Sequence, residues 1–412
     1  MIPLALDELR RLDLGMLEGG AAELTGVQID SRRVVPGDLF VAVGGGAAYL
    51  DDARASGAAA TLVPHDAFAA MAALGGLVRS RSTARVVGVT GSTGKTSTKD
   101  ILAALLRPHV NLVAAEAGQN NELGLPLTLC RIEPETEIVV TEMGMRGLGQ
   151  IRALAALARP DLAVITSIGP VHLELLGSVE NVARAKAELL DELPAGAVAI
   201  VPVGAPELEP FIPSGLDVRR FGPPEVEVRD GRSHVRFRGR DVVFDFTARH
   251  QATNAAAALL AVEALGVPVP EEPVHVAFSR CRSEETELPG GGLLINDSWN
   301  ANPVAMRAAL AYLLEQAAGR RTVAILGVMA ELGSEGPRFH EEIGHAAREV
   351  DVVIGVGELA RGYEPDEWVA IAADAVALAR ELVRPGDVVL VKGSRAVGLE
   401  VVAEALAGVA AR

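Results

Sequence analysis

An α/β protein of three domains is what this sequence predicts, and three observations carry that reading. Strand-like and helix-like segments alternate along most of the chain, the pattern of parallel sheets with crossover helices. A short apolar run, Val86-Val87-Gly88-Val89, leads through Thr90-Gly91-Ser92-Thr93-Gly94-Lys95-Thr96-Ser97 into a helical pattern from Thr98 to Leu106. The length, 412 residues, is enough for two to four domains. The expected units are a small N-terminal α/β unit over 1–82, a central phosphate-loop, ATPase-like parallel-sheet domain over 83–279, and a Rossmann-like C-terminal domain over 280–412.

Composition narrows the function classes. Apolar residues make up 49% and aromatic ones only 3%, so the cores are built from Ala, Val, Leu and Ile. Basic residues number 38 against 54 acidic, a net charge of −16, which disfavours a non-specific nucleic-acid binder. Cys130 and Cys281 form no metal spacing and no disulfide framework. The N-terminus lacks a basic-then-apolar signal pattern, and charge, Gly or Pro interrupts every long apolar stretch, so a cytoplasmic protein is expected; separately, the expectation is a monomer.

In the N-terminal unit, Gln28 to Val43 reads as strand, turn, strand, with Pro36-Gly37-Asp38 as the turn. Ala53 to Ala60 reads as a helix and Ala59 to Val63 as a strand start. The polar segment Arg79-Ser80-Arg81-Ser82-Thr83 marks the first boundary. Beyond it, 137–141 and 161–166 read as strands, Val182 to Leu190 as an amphipathic helix carrying Lys186, and Val198 to Val201 as a strand. Val235 to Phe246 alternates across Gly239 as a hairpin, and Gln251 to Leu265 is an alanine-rich helix. In the last unit, strands are expected at 293–295, 323–326, 352–354 and 388–391, with a final helix from Val397 to Ala410.

The glycine turn is the chemical centre. Strand, glycine turn and helix together aim backbone N–H groups and a helix N-terminus at one point, which suits a phosphate. The pattern is not the strict one, because Val89 stands where the first glycine of that motif belongs. Lys95 can still reach terminal phosphates and the Thr96 hydroxyl can hold Mg²⁺. Glu142 ends one strand, His172 follows another, and Lys186 lies a helix later. Singly, these read as a solvated strand end, a loop histidine and a surface lysine. They gain interest because all three fall in the unit that holds the phosphate loop, where ligands gather at the carboxyl ends of strands.

Several segments in order resemble the Mur ligases, the ATP-dependent peptide ligases of peptidoglycan precursor synthesis. They are Thr90 to Ser97, Asn120-Asn121-Glu122 with Gly124-Leu125-Pro126-Leu127-Thr128, Glu142-Met143-Gly144, His172-Leu173-Glu174, and Ala185-Lys186-Ala187-Glu188. Arg249-His250 with Asn254-Ala255-Ala256, Asp297 to Pro303, Leu326 to Gly333, and Lys392-Gly393-Ser394-Arg395 continue the match. The chain departs from the pattern at Trp299, where Tyr is usual, at Cys281 before Arg282, and at Gly44 to Tyr49, where Asp-Gly-His is expected.

The resemblance implies a γ-phosphoryl transfer from ATP to a substrate carboxylate, then attack of an amine on the acyl phosphate. Asn120-Asn121-Glu122, Asn300-Ala301-Asn302-Pro303 and Lys392 to Arg395 resemble the branch that adds D-alanyl-D-alanine to UDP-N-acetylmuramoyl tripeptide. Residue by residue, it implies nucleotide contacts at Gly91, Ser92, Thr93, Gly94, Lys95, Thr96 and Ser97. Asn254 and Asn300 would contact adenine, Asp297 the ribose and Arg282 the phosphates. It implies a first Mg²⁺ on Thr96 and Glu142 and a second on His172 and a carbamylated Lys186, with Lys95, Glu142, His172 and Lys186 as the catalytic set. Substrate contacts are implied at Asp30, Ser31, Arg32, Asn120, Asn121, Glu122, Lys392 and Arg395. Two other readings stay open: a related ligase adding a single amino acid or acting on folate, and a nucleotide-binding switch that ligates nothing.

Overall fold

A computed structural model, described over residues 1–408, places the phosphate-loop strand at the middle of the central sheet. Six parallel strands lie in the order Asp217–Phe221, Val198–Pro202, Leu162–Ile165, Arg85–Thr90, Ile138–Glu142 and Leu112–Ala114. Val86, Val87 and Val89 are fully buried, the β-branched filling expected of a strand covered on both faces. After Arg85–Thr90 the chain winds out to Leu112–Ala114, returns to insert Ile138–Glu142, and then crosses to Leu162–Ile165 on the other side. That reversal opens a crevice at the carboxyl ends of the strands flanking the loop.

The helix Lys95–Leu106 packs on the alanine-rich helix Arg249–Ala264, and Ile101, Leu102, Leu105 and Leu106 share one core with Ala255, Leu259 and Val262. Burying each such Leu or Ile side chain contributes about 1.5–3 kcal/mol. Asp100 on the first of these helices accepts from Ser279 N at 2.9 Å, which ties it to the connector leading into the C-terminal unit. The expected hairpin is present as Arg232–Phe237 and Arg240–Phe244, turning at Gly239 (φ +82°). A third strand, Val226–Arg229, joins it; its charged, mostly exposed residues gave no strand signal.

The C-terminal sheet runs Glu284–Leu288, Gly292–Asp297, Val388–Lys392, Thr322–Gly327, Val352–Val356 and Glu367–Val369, with only the first strand antiparallel to its neighbour. The four expected strands are all present. The two outer ones went unread because they are short or rich in glutamate at the sheet edge. The expected final helix is a single turn at Arg395–Val397 followed by the helix Glu400–Leu406; residues 409–410 of that expectation lie outside the described residues.

The N-terminal unit has a sheet ordered Gly15–Gly19, Ala60–Pro64, Asp38–Val41 and Gly26–Gln28. The last two are parallel, joined through a turn at Ser31–Arg33 before Pro36-Gly37. The expected helix at 53–60 is observed earlier, at Leu50–Ala55. The helix Ala67–Arg81 enters the polar segment expected as the first boundary and ends within it, before the strand Arg85–Thr90. Arg79 is 9% exposed and donates to Ala158 O (2.7 Å) and Arg159 O (3.1 Å), so its charge closes the carboxyl end of a neighbouring helix. Among the described residues no helix is long and apolar enough to cross a membrane.

Candidate active site

The phosphate loop is built by close approach. A Cβ at Gly91 (φ +151°) would fall 1.9 Å from Thr166 Oγ1, and one at Gly94 (φ +79°) 2.4 Å from Asn254 Oδ1. Gly94 is the left-handed residue from which the helix Lys95–Leu106 starts. The loop is strapped to the end of the neighbouring strand. Ser92 N donates to Ser167 O (2.9 Å), Thr93 N to Ser167 Oγ (2.8 Å), and Thr166 Oγ1 to Thr93 O (2.5 Å). Lys95 Nζ folds back to donate to Gly91 O at 2.7 Å. Replacing Gly91 with Ala is expected to cost about 1–3 kcal/mol in backbone strain alone and to weaken ADP binding. Melting curves with and without ADP check both effects.

The loop opens onto a cavity of about 680 Å³ lined by the central and C-terminal units together. Ser92 to Ser97, Asn120 to Glu122, Glu142, His172, Lys186 and Asn254 line it from the central unit. Arg282, Asp297, Asn300 and Lys392 line it from the other. Gly91, part of the same loop, does not line the cavity. Asp30, Ser31 and Arg32 are outside this cavity. Asp30 caps its own turn through Arg32 N (3.1 Å), and the Arg32 guanidinium pairs with it and holds its carboxyl at about 2. Next to them Arg33 pairs with Glu116 of the central unit at 2.9 Å.

Glu142 ends its strand at 2% exposure, and Asn120 Nδ2 donates to its Oε1 at 2.9 Å. Asn120 therefore orients the carboxylate, a role its motif did not announce. Asn121 Oδ1 accepts from Leu123 N and Gly124 N and starts the helix Gly124–Leu129. Lys186 is 1% exposed, which removes the surface-lysine reading. Glu188, two positions on, spends its oxygens on Gly149 N (2.6 Å) and Arg152 N (3.1 Å). Burial pushes the Lys186 ammonium well below the usual lysine range, and the charge of Lys95 adds to this. Burial also lowers Lys95, with Glu142 opposing and Arg282 reinforcing the shift.

His172 has a left-handed backbone (φ +53°), and its Nδ1 meets Glu331 Oε2 of the C-terminal unit. Burial lowers its pKa and Glu331 opposes the shift. Arg282 Nη2 donates to Thr96 Oγ1 at 3.3 Å, so the two units touch at the phosphate loop itself. The guanidinium carbons of Arg282 and Arg395 lie 5.8 and 4.8 Å from the centre of the Trp299 ring, cation–π contacts worth about 0.5–1 kcal/mol each. Asp297 and Lys392 sit opposite each other at adjacent strand ends. Lys392, 2% exposed, donates to Asp297 Oδ2 (2.5 Å) and Asn300 O (3.0 Å), so its ammonium already has partners. Asn302 caps the helix Pro303–Ala317 by accepting from Ala305 N at 3.0 Å, which gives the Asn-Pro pair a folding reason.

Sequence reasoning missed Thr166, Ser167, Arg146 and the contact made by Glu331. Glu331 lay in a matched segment, but nothing local linked it to a histidine 159 positions away.

Comparison with known proteins agrees with this construction. Residues 89–262 match the Mur ligase middle domain and residues 281–395 the Mur ligase glutamate ligase domain. A UDP-N-acetylmuramoyl-tripeptide–D-alanyl-D-alanine ligase of Mycobacterium tuberculosis is 33% identical, over 96% of this chain and 94% of the relative. The Escherichia coli protein of the same name is 32% identical over 98% and 99%. Among solved structures, MurF from Acinetobacter baumannii superimposes with TM-score 0.83 at 25% identity, covering 98% of this chain and 99% of that one. MurF from Thermotoga maritima in complex with ADP gives 0.80 at 29% identity, over 93% and 97%. With both family domains matched in order across a continuous cavity, the chain belongs to the Mur ligase family.

Proposed function

We infer that this chain is the ATP-dependent ligase that joins D-alanyl-D-alanine to UDP-N-acetylmuramoyl tripeptide. The observation that carries this reading is the near-complete coverage, in both directions, of relatives bearing that activity in their names. The cavity shared by the phosphate loop and the C-terminal unit supports it. We assign 1–82 to the nucleotide-linked substrate, 83–279 to ATP, and 280–412 to the incoming amine and the closing face of the ATP site. ATP and a UDP-linked substrate suit a cytoplasmic location.

In the proposed reaction the terminal carboxylate of the tripeptide attacks the γ-phosphorus of ATP and ADP leaves. The amine of D-alanyl-D-alanine then attacks the acyl carbon, loses a proton, and expels phosphate. Phosphoryl transfer of this kind depends on positioning and charge neutralisation. The loop N–H groups and Lys95 hold the phosphates, and Arg282 reaches the same place from the other unit. Docking of the two units screens the acyl phosphate from water.

The residues present fit Mg²⁺. The Thr96 hydroxyl and the Asn120-held Glu142 carboxylate are the oxygen donors that this ion prefers. Among the described residues no three His, Cys, Asp or Glu side chains converge, so a cation held here would draw its further ligands from phosphate and water. His172 and Lys186 would hold a second ion once Lys186 carries a carbamate. Such ions neutralise charge on the phosphates.

The deciding experiment is ADP release with UDP-N-acetylmuramoyl tripeptide, with and without D-alanyl-D-alanine. Sustained turnover only with both supports the reading, and release dependent on neither returns the protein to the nucleotide-switch class. In a panel of amines, D-alanyl-D-alanine is expected to exceed any free amino acid in kcat/KM by at least about 10²-fold. A free diamino acid as the best amine, with a nucleotide-linked dipeptide as the acid, would instead indicate the preceding addition step.

A further inference from the structure

Glu331 lies on a C-terminal loop that reaches the central unit and meets His172. One carboxylate oxygen, Oε2, meets His172 Nδ1, and the other, Oε1, is 3.3 Å from Arg146 Nε. The Glu331 carbonyl accepts from Glu174 N at 3.2 Å. Two residues on, a Cβ at Gly333 would fall 3.1 Å from Glu174 Cα, so the chains run in close contact here.

The loop is held from its own side. His340, fully buried, accepts from Met329 N through Nε2 (3.0 Å) and donates from Nδ1 to Gly336 O (2.7 Å). Ser394 Oγ accepts from Ala330 N (2.9 Å), and the Tyr363 hydroxyl donates to Gly327 O (2.9 Å). All these partners belong to the C-terminal unit, so the backbone that carries Glu331 is held by its own domain. Glu331 (φ +63°) and His172 (φ +53°) both hold left-handed backbone, a conformation uncommon outside glycine and kept where the surroundings impose it.

An imidazole that gives its Nδ1 proton to a carboxylate keeps its lone pair on Nε2. Histidines that bind metal ions almost always donate their other ring N–H to a carboxylate, a backbone carbonyl or water. We propose that Glu331 is a positioning residue for the reaction: it fixes His172 as the Nδ1–H tautomer, so that docking of the C-terminal unit completes a divalent-cation site on the central unit. The proposal rests on the reading of His172 as a cation ligand, and it adds that the other domain controls that ligand.

The test uses the full chain and two readouts. Ring ¹⁵N spectra without metal should show His172 as Nδ1–H in the wild type and shifted toward Nε2–H in Glu331→Ala. Titration with Mn²⁺ in the presence of ADP, followed by electron paramagnetic resonance, should show binding weakened at least about 10-fold in Glu331→Ala. Arg146→Met, which removes the other contact of Glu331, should change Mn²⁺ affinity by no more than about fivefold. An unchanged tautomer in Glu331→Ala overturns the proposal. So does loss of an ion in His172→Ala with unchanged Mn²⁺ affinity in Glu331→Ala. An unchanged number of bound ions in His172→Ala overturns the cation assignment itself.

Discussion

Lys95→Ala is expected to lower the ligation rate by at least about 10³-fold, the scale set by losing one preorganised charge contact in a transition state. The ammonium sits at the mouth of the loop, 2.7 Å from Gly91 O, where the helix Lys95–Leu106 begins. Burial disfavours its charge and Glu142 sustains it, so a cation is held ready in a poorly hydrated place. There an ion–phosphate contact is worth more than in water. Folding should be nearly unaffected, because truncation also removes the cost of burying the charge. A melting curve near that of the wild type, beside a rate below a thousandth, is the expected pair of results. More than a tenth of wild-type turnover would dismiss the phosphate-loop assignment.

Lys186→Ala is expected to be nearly inactive and to recover part of its rate in acetate or formate. Lys186 is held among apolar residues of its helix, including Val182, Leu189 and Leu190, and is nearly closed to solvent. Burial and the charge of Lys95 push its ammonium well below the ordinary lysine range, so the neutral amine is available at lower pH than usual. In the proposed carbamylation that amine would add CO₂ and release a proton, leaving an anionic carbamate with oxygen donors. Lowering the pH protonates the amine and withdraws the carbamate, so activity should fall on the acid side and be partly regained by adding bicarbonate. ¹³C-bicarbonate should give a carbamate signal in the wild type and none in Lys186→Ala. Near-normal activity of the variant would sink the idea, and inactivity without rescue would leave Lys186 only a place in the packing.

The legible parts of the site were those in which chemistry and local geometry coincide. The phosphate loop could be read because its bend requires glycine at 91 and 94, whereas Lys186 by itself read as a surface lysine and only the family resemblance pointed to it. Other roles depend on pairs far apart in sequence. Asn120 gains meaning only beside Glu142, and Lys392 only beside Asp297, 95 positions away, through strand register. Within the polar run at 79–83, the structural role of Arg79 was hidden because an arginine that closes another helix cannot be told from a solvated one without the neighbour. The edge strand Glu284–Leu288 hid because its pairing is antiparallel and its composition acidic.

The stacking of Arg282 and Arg395 on Trp299 also gives the protein an optical reporter. The chain has two tryptophans. Trp368 does not line the cavity; it packs under Arg361 with its indole N–H donating to Gly357 O at 2.8 Å. Trp299 lines the cavity and is flanked by two guanidinium groups, one of them touching the phosphate loop. Fluorescence from Trp299 should therefore follow nucleotide binding and inter-domain movement without any attached dye, while Trp368→Phe removes the constant background.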